Sequence, residues 1–219
     1  MKPSLYAHPF ASYCQKVLIA LYENETPFTY RKLGPEDPEA MGELEQLSPL
    51  KKFPVLLDDG RGLFESSIII EYLAIRHPGR TRLIPADALG AIEVRTMDRF
   101  FDNYIHTPMQ RIVADFIRAP GTRDPLGVQE ARSTLDSAYR WLNGVMEKRT
   151  WAAGTEFSLG DCAAAPSLFY SDWVHEIGDE FGHVRAYRKR LLERASVART
   201  VEEARAYRHL FPPGAPNRD

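Results

Sequence analysis

Residues 7–17, AHPFASYCQKV, crowd an imidazole, a hydroxyl and a thiol where a first strand gives way to a first helix. Cys14 shares the spacing i, i+3, i+4, i+7 with Val17, Leu18 and Leu21, which puts its sulfur on an apolar helix face and predicts a buried, inert thiol. His8 stands before Pro9 with no acidic neighbour in sequence, the ordinary setting of a polar loop residue rather than of a base. Ser12 is followed three residues on by Gln15 and fits a capping box, so it is expected to be the N-cap of the helix. From that position its hydroxyl and the first free backbone N–H groups can also converge on one anion.

Two later stretches add polar chemistry. In LKKFPVLLDDG, Pro54 stands at the head of an apolar run. It either starts an edge strand or, through a cis bond, turns the N–H and C=O of Val55 outward to pair with an extended peptide ligand. In GLFESSIIIEYL, Glu65, Ser66 and Ser67 precede an apolar helical run. A serine there is a capping residue, but a helix start also holds anions. Ser66 would take a ligand carboxylate while Glu65 pairs with a ligand ammonium, a combination that selects the zwitterionic head of an amino acid. Farther on, RFFDNYIHTPMQRIV brings Phe101, Tyr104, His106 and Met109 near Pro108, which should bend or break a helix. Aromatics at such spacing are ordinarily core.

The elements that position these groups fall into two patterns. Up to about residue 78, strand-like runs (SLYAH, FTYRKL, PVLLDD, GLFE) alternate with helical ones near 12–24, 37–47 and 66–77, the order of an α/β unit. HPGRTRLIPAD interrupts with two prolines and a glycine. Beyond it the pattern is helical, over roughly 88–118, 124–147, 158–175, 183–194 and 197–207, and FPPGAPNRD reads as an irregular tail. The expected division is 1–78, a linker 79–87, and an all-helical unit 88–219. Composition narrows the functions. With 28 basic and 30 acidic residues spread along the chain, no basic face offers itself to nucleic acid. No signal-like or membrane-length apolar run occurs, so the chain reads as soluble and cytoplasmic, without a membrane partner. Cys14 and Cys162, in different halves and without ligand spacing, read as reduced thiols rather than a bridge or metal site.

Taken together, SLYAHPFASYCQKVLIALYENETPF, LSPLKKFPVLLDDG, LFESSIIIEYL and WAAGTEFSLGDCAAAPSLFY resemble, in order, four motifs of the glutathione transferase family, the last with Ser158 and Asp161 as a capping box. The resemblance implies a thioredoxin-like α/β domain followed by a C-terminal helical-bundle domain. It implies glutathione as co-substrate and no bound cofactor, with Val55 after a cis-Pro54 meeting the cysteinyl part, Glu65 and Ser66 the γ-glutamyl head, and Lys52, rather than Lys51, the glycyl carboxylate. It also implies a small hydrophobic electrophile in a pocket walled by Phe10, Tyr104 and Pro108, and a homodimer formed through the helices starting at Ser66 and Ala88. One departure stands out. Where the family places a thiol-activating tyrosine, serine or cysteine, an ungapped alignment puts Ala7 and Ala11. A one-residue shift makes Ser12 the hydrogen-bond donor to the glutathione thiolate. The alternatives are a glutathione-dependent reductase using Cys14 and a noncatalytic binder that has lost its activator.

Overall fold

In the computed structural model, which describes residues 2–219, the first half forms a four-stranded mixed sheet. Its strands are β1 Ser4–Ala7, β2 Thr29–Lys32, β3 Val55–Asp58 and β4 Arg61–Phe64, in the order β2-β1-β3-β4. β1 runs parallel to β2, with Leu5 opposite Tyr30, because α1 (Ser12–Glu23) forms the crossover between them. β3 is antiparallel to both neighbours, and its hairpin to β4 turns on Asp59 and Gly60, both at positive φ as a two-residue turn requires. Two further helices complete this thioredoxin-like domain. α2 (Pro38–Leu47) starts at Asp37, whose carboxylate accepts from the Ala40 N–H at 3.1 Å, and α3 is Ser66–Arg76.

The C-terminal domain is helical: α4 Ala88–Phe100, α5 Thr107–Ile117, α6 Pro125–Met146, α7 Leu159–Val174, α8 Gly182–Glu193 and α9 Ala195–Ala204. α7 begins as its sequence predicts. Asp161 accepts from the Ser158 N–H at 2.8 Å and hydroxyl at 2.9 Å. The same carboxylate also takes the Ala152 N–H (2.8 Å) and the Tyr187 hydroxyl (2.6 Å), so it ties three segments together.

α1 is shared between the domains. Leu5, Val17, Leu18 and Ile69 from the first domain belong to the same buried cluster as Met97, Phe101, Leu159 and Cys162 from the second. At the far end of α1 the buried Glu23 accepts two bonds from Arg194 (2.6 and 2.8 Å) and one each from Ser196 (2.8 Å) and Thr81 (2.9 Å).

The long helix expected over 88–118 is broken in a specific way. Between α4 and α5, residues 101–106 form a π-helical turn, and the Thr107 N–H bonds the carbonyl five residues back, at Asp102. Pro108 explains why: it has no N–H to donate, and its ring would crowd the preceding turn of a regular helix. The wider turn accommodates it, and the Thr107 hydroxyl adds a second bond to the Asp102 carbonyl at 2.9 Å.

Candidate active site

Two clefts meet between the domains, and the sequence builds them differently. The polar one, of about 410 Å³, takes Lys52, Glu65 and Ser66 from the first domain and Arg99, Asn103 and Gln110 from the helical one. The apolar one, of about 600 Å³, is walled by Phe10, Met109, Val113, Ile117, Tyr170 and Phe211. Tyr13, Lys52, Phe53 and Gln110 line both, so the two form one continuous site.

On the polar side, the Phe53–Pro54 peptide is cis, and Phe53 and Pro54 both line the cleft. Val55 does not. It is fully buried in β3, paired on one side with Tyr6 and on the other with Phe64, and its side chain packs in a cluster with Leu33 and Leu44. An interior strand has both edges occupied, so the Val55 backbone is no open edge for a peptide ligand, whereas Phe53, before the proline, lines the cleft. Next to it, Glu65 holds a left-handed backbone (φ 71°) and is itself the N-cap of α3, without a side-chain cap bond. Ser66 is therefore the first helical residue and no cap, and the opening N–H groups of α3 lack a side-chain acceptor. A carboxylate suits that position. Lys52 lines both clefts, whereas Lys51 is drawn off by Glu45 at 3.1 Å.

The opening of α1 also differs from its capping-box reading. The N-cap is Ala11, and Gln15, instead of reaching back to Ser12, donates to the Pro9 carbonyl and the Tyr170 hydroxyl, both at 2.9 Å. Gln15 thereby fixes the HPFA loop, because Tyr170 in turn donates to the Phe10 carbonyl at 3.0 Å. Ser12 is left free for other work. Its Oγ lies 3.0 Å from Nε2 of His106, a residue 94 positions away on the π-helical turn, and Ser12 lines the apolar cleft beside the seam. Burial, reinforced by the Lys16 charge, pushes the His106 imidazole down to about 3, so the ring is neutral. Tyr13 packs its ring on His106 at 4.4 Å, and burial first, then Asp102, pushes its phenol up to about 12.

Cys14 is fully buried, and burial pushes its thiol up to about 12. His8 accepts from the Phe10 N–H at 3.1 Å and packs against Tyr207, outside both clefts. Of Phe10, Tyr104 and Pro108, expected to wall the electrophile pocket, only Phe10 lines the apolar cleft. Tyr104 is more than half exposed on a separate groove with Phe100 and Trp141, and Pro108 is buried beside the wall that Met109 and Gln110 provide. The informative stripe is the polar one of Arg99, Asn103 and Gln110, since its spacing of four and seven is helical too. Among the described residues, no group of three or more histidine, cysteine or acidic side chains is arranged to hold a metal ion.

Residues 5–81 match the family model of the glutathione S-transferase N-terminal domain, and residues 100–195 that of the C-terminal domain. The chain belongs to the glutathione transferase family. Among solved structures, a glutathione transferase from Methylobacillus flagellatus with GSH bound is similar at TM-score 0.80 and 26% identity, over 91% of this chain and 98% of that one. Two curated relatives differ in name. The stringent starvation protein A homolog of Coxiella burnetii is 28% identical over 92% of each chain, and the glutathione S-transferase GstB of Escherichia coli is 26% identical over 85% of this chain and 91% of its own.

A buried neutral histidine has a consequence for stability. When the chain unfolds, His106 regains its ordinary affinity for protons, near 6.5, so below that pH the unfolded state binds a proton that the folded state refuses. Stability is therefore expected to fall progressively as pH drops from about 6.5 to about 3. Urea melts of wild type and His106→Gln across that range check this: the variant should lose part of the slope, and an identical slope in both would contradict it.

Proposed function

We propose that the chain is a glutathione transferase that binds glutathione in the polar cleft, stabilises its thiolate with Ser12 and adds it to a small apolar electrophile in the adjoining cleft. The observation that carries this reading is the pairing of Ser12, on the wall of the apolar cleft next to the shared residue Tyr13, with the buried His106. In the tautomer that carries its proton on Nε2, His106 donates to Ser12 Oγ and leaves the serine hydrogen free for a sulfur anion. A donated hydrogen bond beside the free N–H groups of a helix start favours the charged form of the thiol. The reading divides the chain into the glutathione-binding unit 1–78, the linker 79–87 and the helical unit 88–219 with the electrophile wall. It also takes the protein to be cytoplasmic; no described helix is long and apolar enough to cross a membrane. The test is direct: purified protein with glutathione and a panel of apolar electrophiles, wild type against Ser12→Ala. Turnover that falls in the variant supports it, and turnover unchanged by the substitution refutes the role of Ser12.

Glutathione's zwitterionic head is assigned to Glu65 and the α3 N-terminus at Ser66, and its glycyl carboxylate to Lys52. Replacing Glu65 or Ser66 by alanine is expected to weaken glutathione binding roughly tenfold to over a hundredfold, the worth of one charge-assisted hydrogen bond (about 1.5 to 3 kcal/mol). Titration calorimetry reads it, and unchanged affinity in both variants would remove the pair from the site.

The second reading, a noncatalytic binder, is favoured by Ala7 and Ala11, which cannot donate to a thiolate. Retention on immobilised glutathione with no turnover of any electrophile would select it. The buried, protonated state of Cys14 speaks against the reductase alternative.

A homodimer is part of the proposal. Ile68 and Ile75 on α3 and Leu89 and Ile92 on α4 are each more than half exposed, and Ile92 borders an open apolar groove of about 790 Å³ between α4 and α6. Unpaired apolar surface of this kind marks an interaction face. Sedimentation should give twice the chain mass for wild type and a shift toward monomer for Ile92→Glu; a monomeric wild type would contradict the dimer.

A further inference from the structure

Below the Ser12–His106 contact lies a second link between the same two elements. On α1, Lys16 is four residues after Ser12; on the π-helical turn, Asp102 is four residues before His106. The Lys16 ammonium donates to Asp102 Oδ2 at 2.9 Å, so the two segments are joined by two antiparallel rungs, 12 to 106 and 16 to 102. Lys16 is 1% exposed, and the rest of its surroundings are polar by construction. Asp98 Oδ1 is an ion-pair partner of the ammonium at 2.5 Å, Ser67 Oγ accepts from the ammonium at 2.9 Å, and Ser67 donates onward to Asp98 Oδ2 at 2.9 Å. Arg99, at the rim, bonds Asp98 and Asp102 from the other side at 2.7 and 3.1 Å.

Such a cluster is a poor way to gain stability, because desolvating a charge offsets much of what pairing returns, and an apolar side chain would fill the same space at less cost. What it supplies is position. Apolar contacts tolerate sliding and repacking. An ammonium with one hydrogen-bond direction per proton, buried between carboxylates from α4 and the π-helical turn and a hydroxyl from α3, does not.

We propose that Lys16, through Asp102, is a positioning residue for the thiolate-stabilising hydroxyl: the lower rung sets the register between α1 and the π-helical turn so that His106 meets Ser12. This rests on the proposed role of Ser12 and adds to it a part for a residue that touches neither glutathione nor the electrophile cleft. Loss of the lower rung lets the turn shift, His106 leaves Ser12, and the serine proton is no longer directed at the sulfur. Asp102 itself borders the polar cleft, so Lys16 is the cleaner probe.

The experiment titrates the ultraviolet absorbance of the glutathione thiolate bound to wild type, Ser12→Ala, Lys16→Met, Asp102→Asn and the Ser12→Ala/Lys16→Met double variant, each shown to be folded by circular dichroism. Lys16→Met is expected to raise the titration midpoint enough to cut the thiolate present at neutral pH about tenfold, one pKa unit being a factor of ten, while leaving glutathione affinity within about twofold. Asp102→Asn, which keeps an acceptor oxygen, should give a smaller rise in the same direction. In the Ser12→Ala background Lys16→Met should add nothing, because the group it positions is gone. A role in stability alone would leave the midpoint of a folded variant unmoved. If Lys16→Met does not fold, Asp102→Asn carries the comparison, and an unmoved midpoint there overturns the proposal. An effect of Lys16→Met that persists in full without Ser12 also overturns it. No effect of Ser12→Ala itself would instead refute the thiolate reading, and the two failures are thus distinguished.

Discussion

Ser12→Ala is expected to lower turnover of glutathione with an accepted electrophile by roughly tenfold to a thousandfold, because removing one hydrogen-bond donor to a reacting anion costs about 1.5 to 4 kcal/mol. The loss should fall on the rate and not on glutathione affinity, which the proposal assigns to Lys52, Glu65 and Ser66. The substitution is clean in one respect that the sequence does not promise. Ser12 is not the cap of α1, since Ala11 holds that position without a side-chain bond, so alanine at residue 12 removes no cap. The stability loss should come instead from the buried His106 Nε2 left without its partner, about 1 to 3 kcal/mol. Cys14→Ser makes the complementary control. It places a hydroxyl at a fully buried position in the main apolar core and should cost stability while leaving the rate of folded protein nearly intact. If Cys14→Ser abolishes turnover and Ser12→Ala does not, the thiol chemistry belongs to Cys14 and the assignment is wrong.

The largest effect on stability is expected at Asp161. Its carboxylate is fully buried and accepts from the Ala152 and Ser158 N–H groups, the Ser158 hydroxyl and the Tyr187 hydroxyl. Asp161→Ala strands these donors without solvent. Each buried donor left unpaired costs about 1 to 3 kcal/mol, so a total of about 3 to 5 kcal/mol is expected even after some of them find other acceptors. That is a large share of the roughly 5 to 15 kcal/mol by which a domain is stable. Urea denaturation reads the change. A loss under about 1 kcal/mol would mean that α7 and the Trp151 loop hold their places by packing alone.

Asp161 also shows what is legible in the amino-acid sequence alone. Local chemistry is. The Ser158–Asp161 pair lies within four residues, the sheet strands and α1, α2 and α3 follow from alternation and turn residues, and the Glu65–Ser66 helix start is a short contiguous signal. Features that depend on a neighbour far away in the chain are not legible in this way. The Ser12–Gln15 spacing is that of a capping box, but Gln15 is claimed by Pro9 and by Tyr170, 155 positions distant. Val55 reads as turned outward by Pro54 because the sequence does not say that β1 and β4 pair with β3 on its two sides. A helical period through Arg99, Asn103 and Gln110, which line the polar cleft, already leaves Tyr104 on another side of the helix, so an aromatic ring near Pro108 is by itself no guide to the cleft wall. In sequence His106 is only one of several rings near that proline. Its contact with Ser12 spans 94 residues and both domains, and nothing in either segment alone announces it.

The role proposed for Ser12, and for Lys16 through it, requires that this cleft hold glutathione as a thiolate. The most direct test is an ultraviolet titration of glutathione bound to the wild-type protein against free glutathione under the same conditions. An ordinary cysteine thiol ionises near 8.5. The bound thiol is expected to titrate at least about one unit lower than the free one, because a serine hydroxyl and the N-terminus of α1 both favour its anion. A bound thiol that titrates with the free one, or no saturable binding at all, would contradict the account.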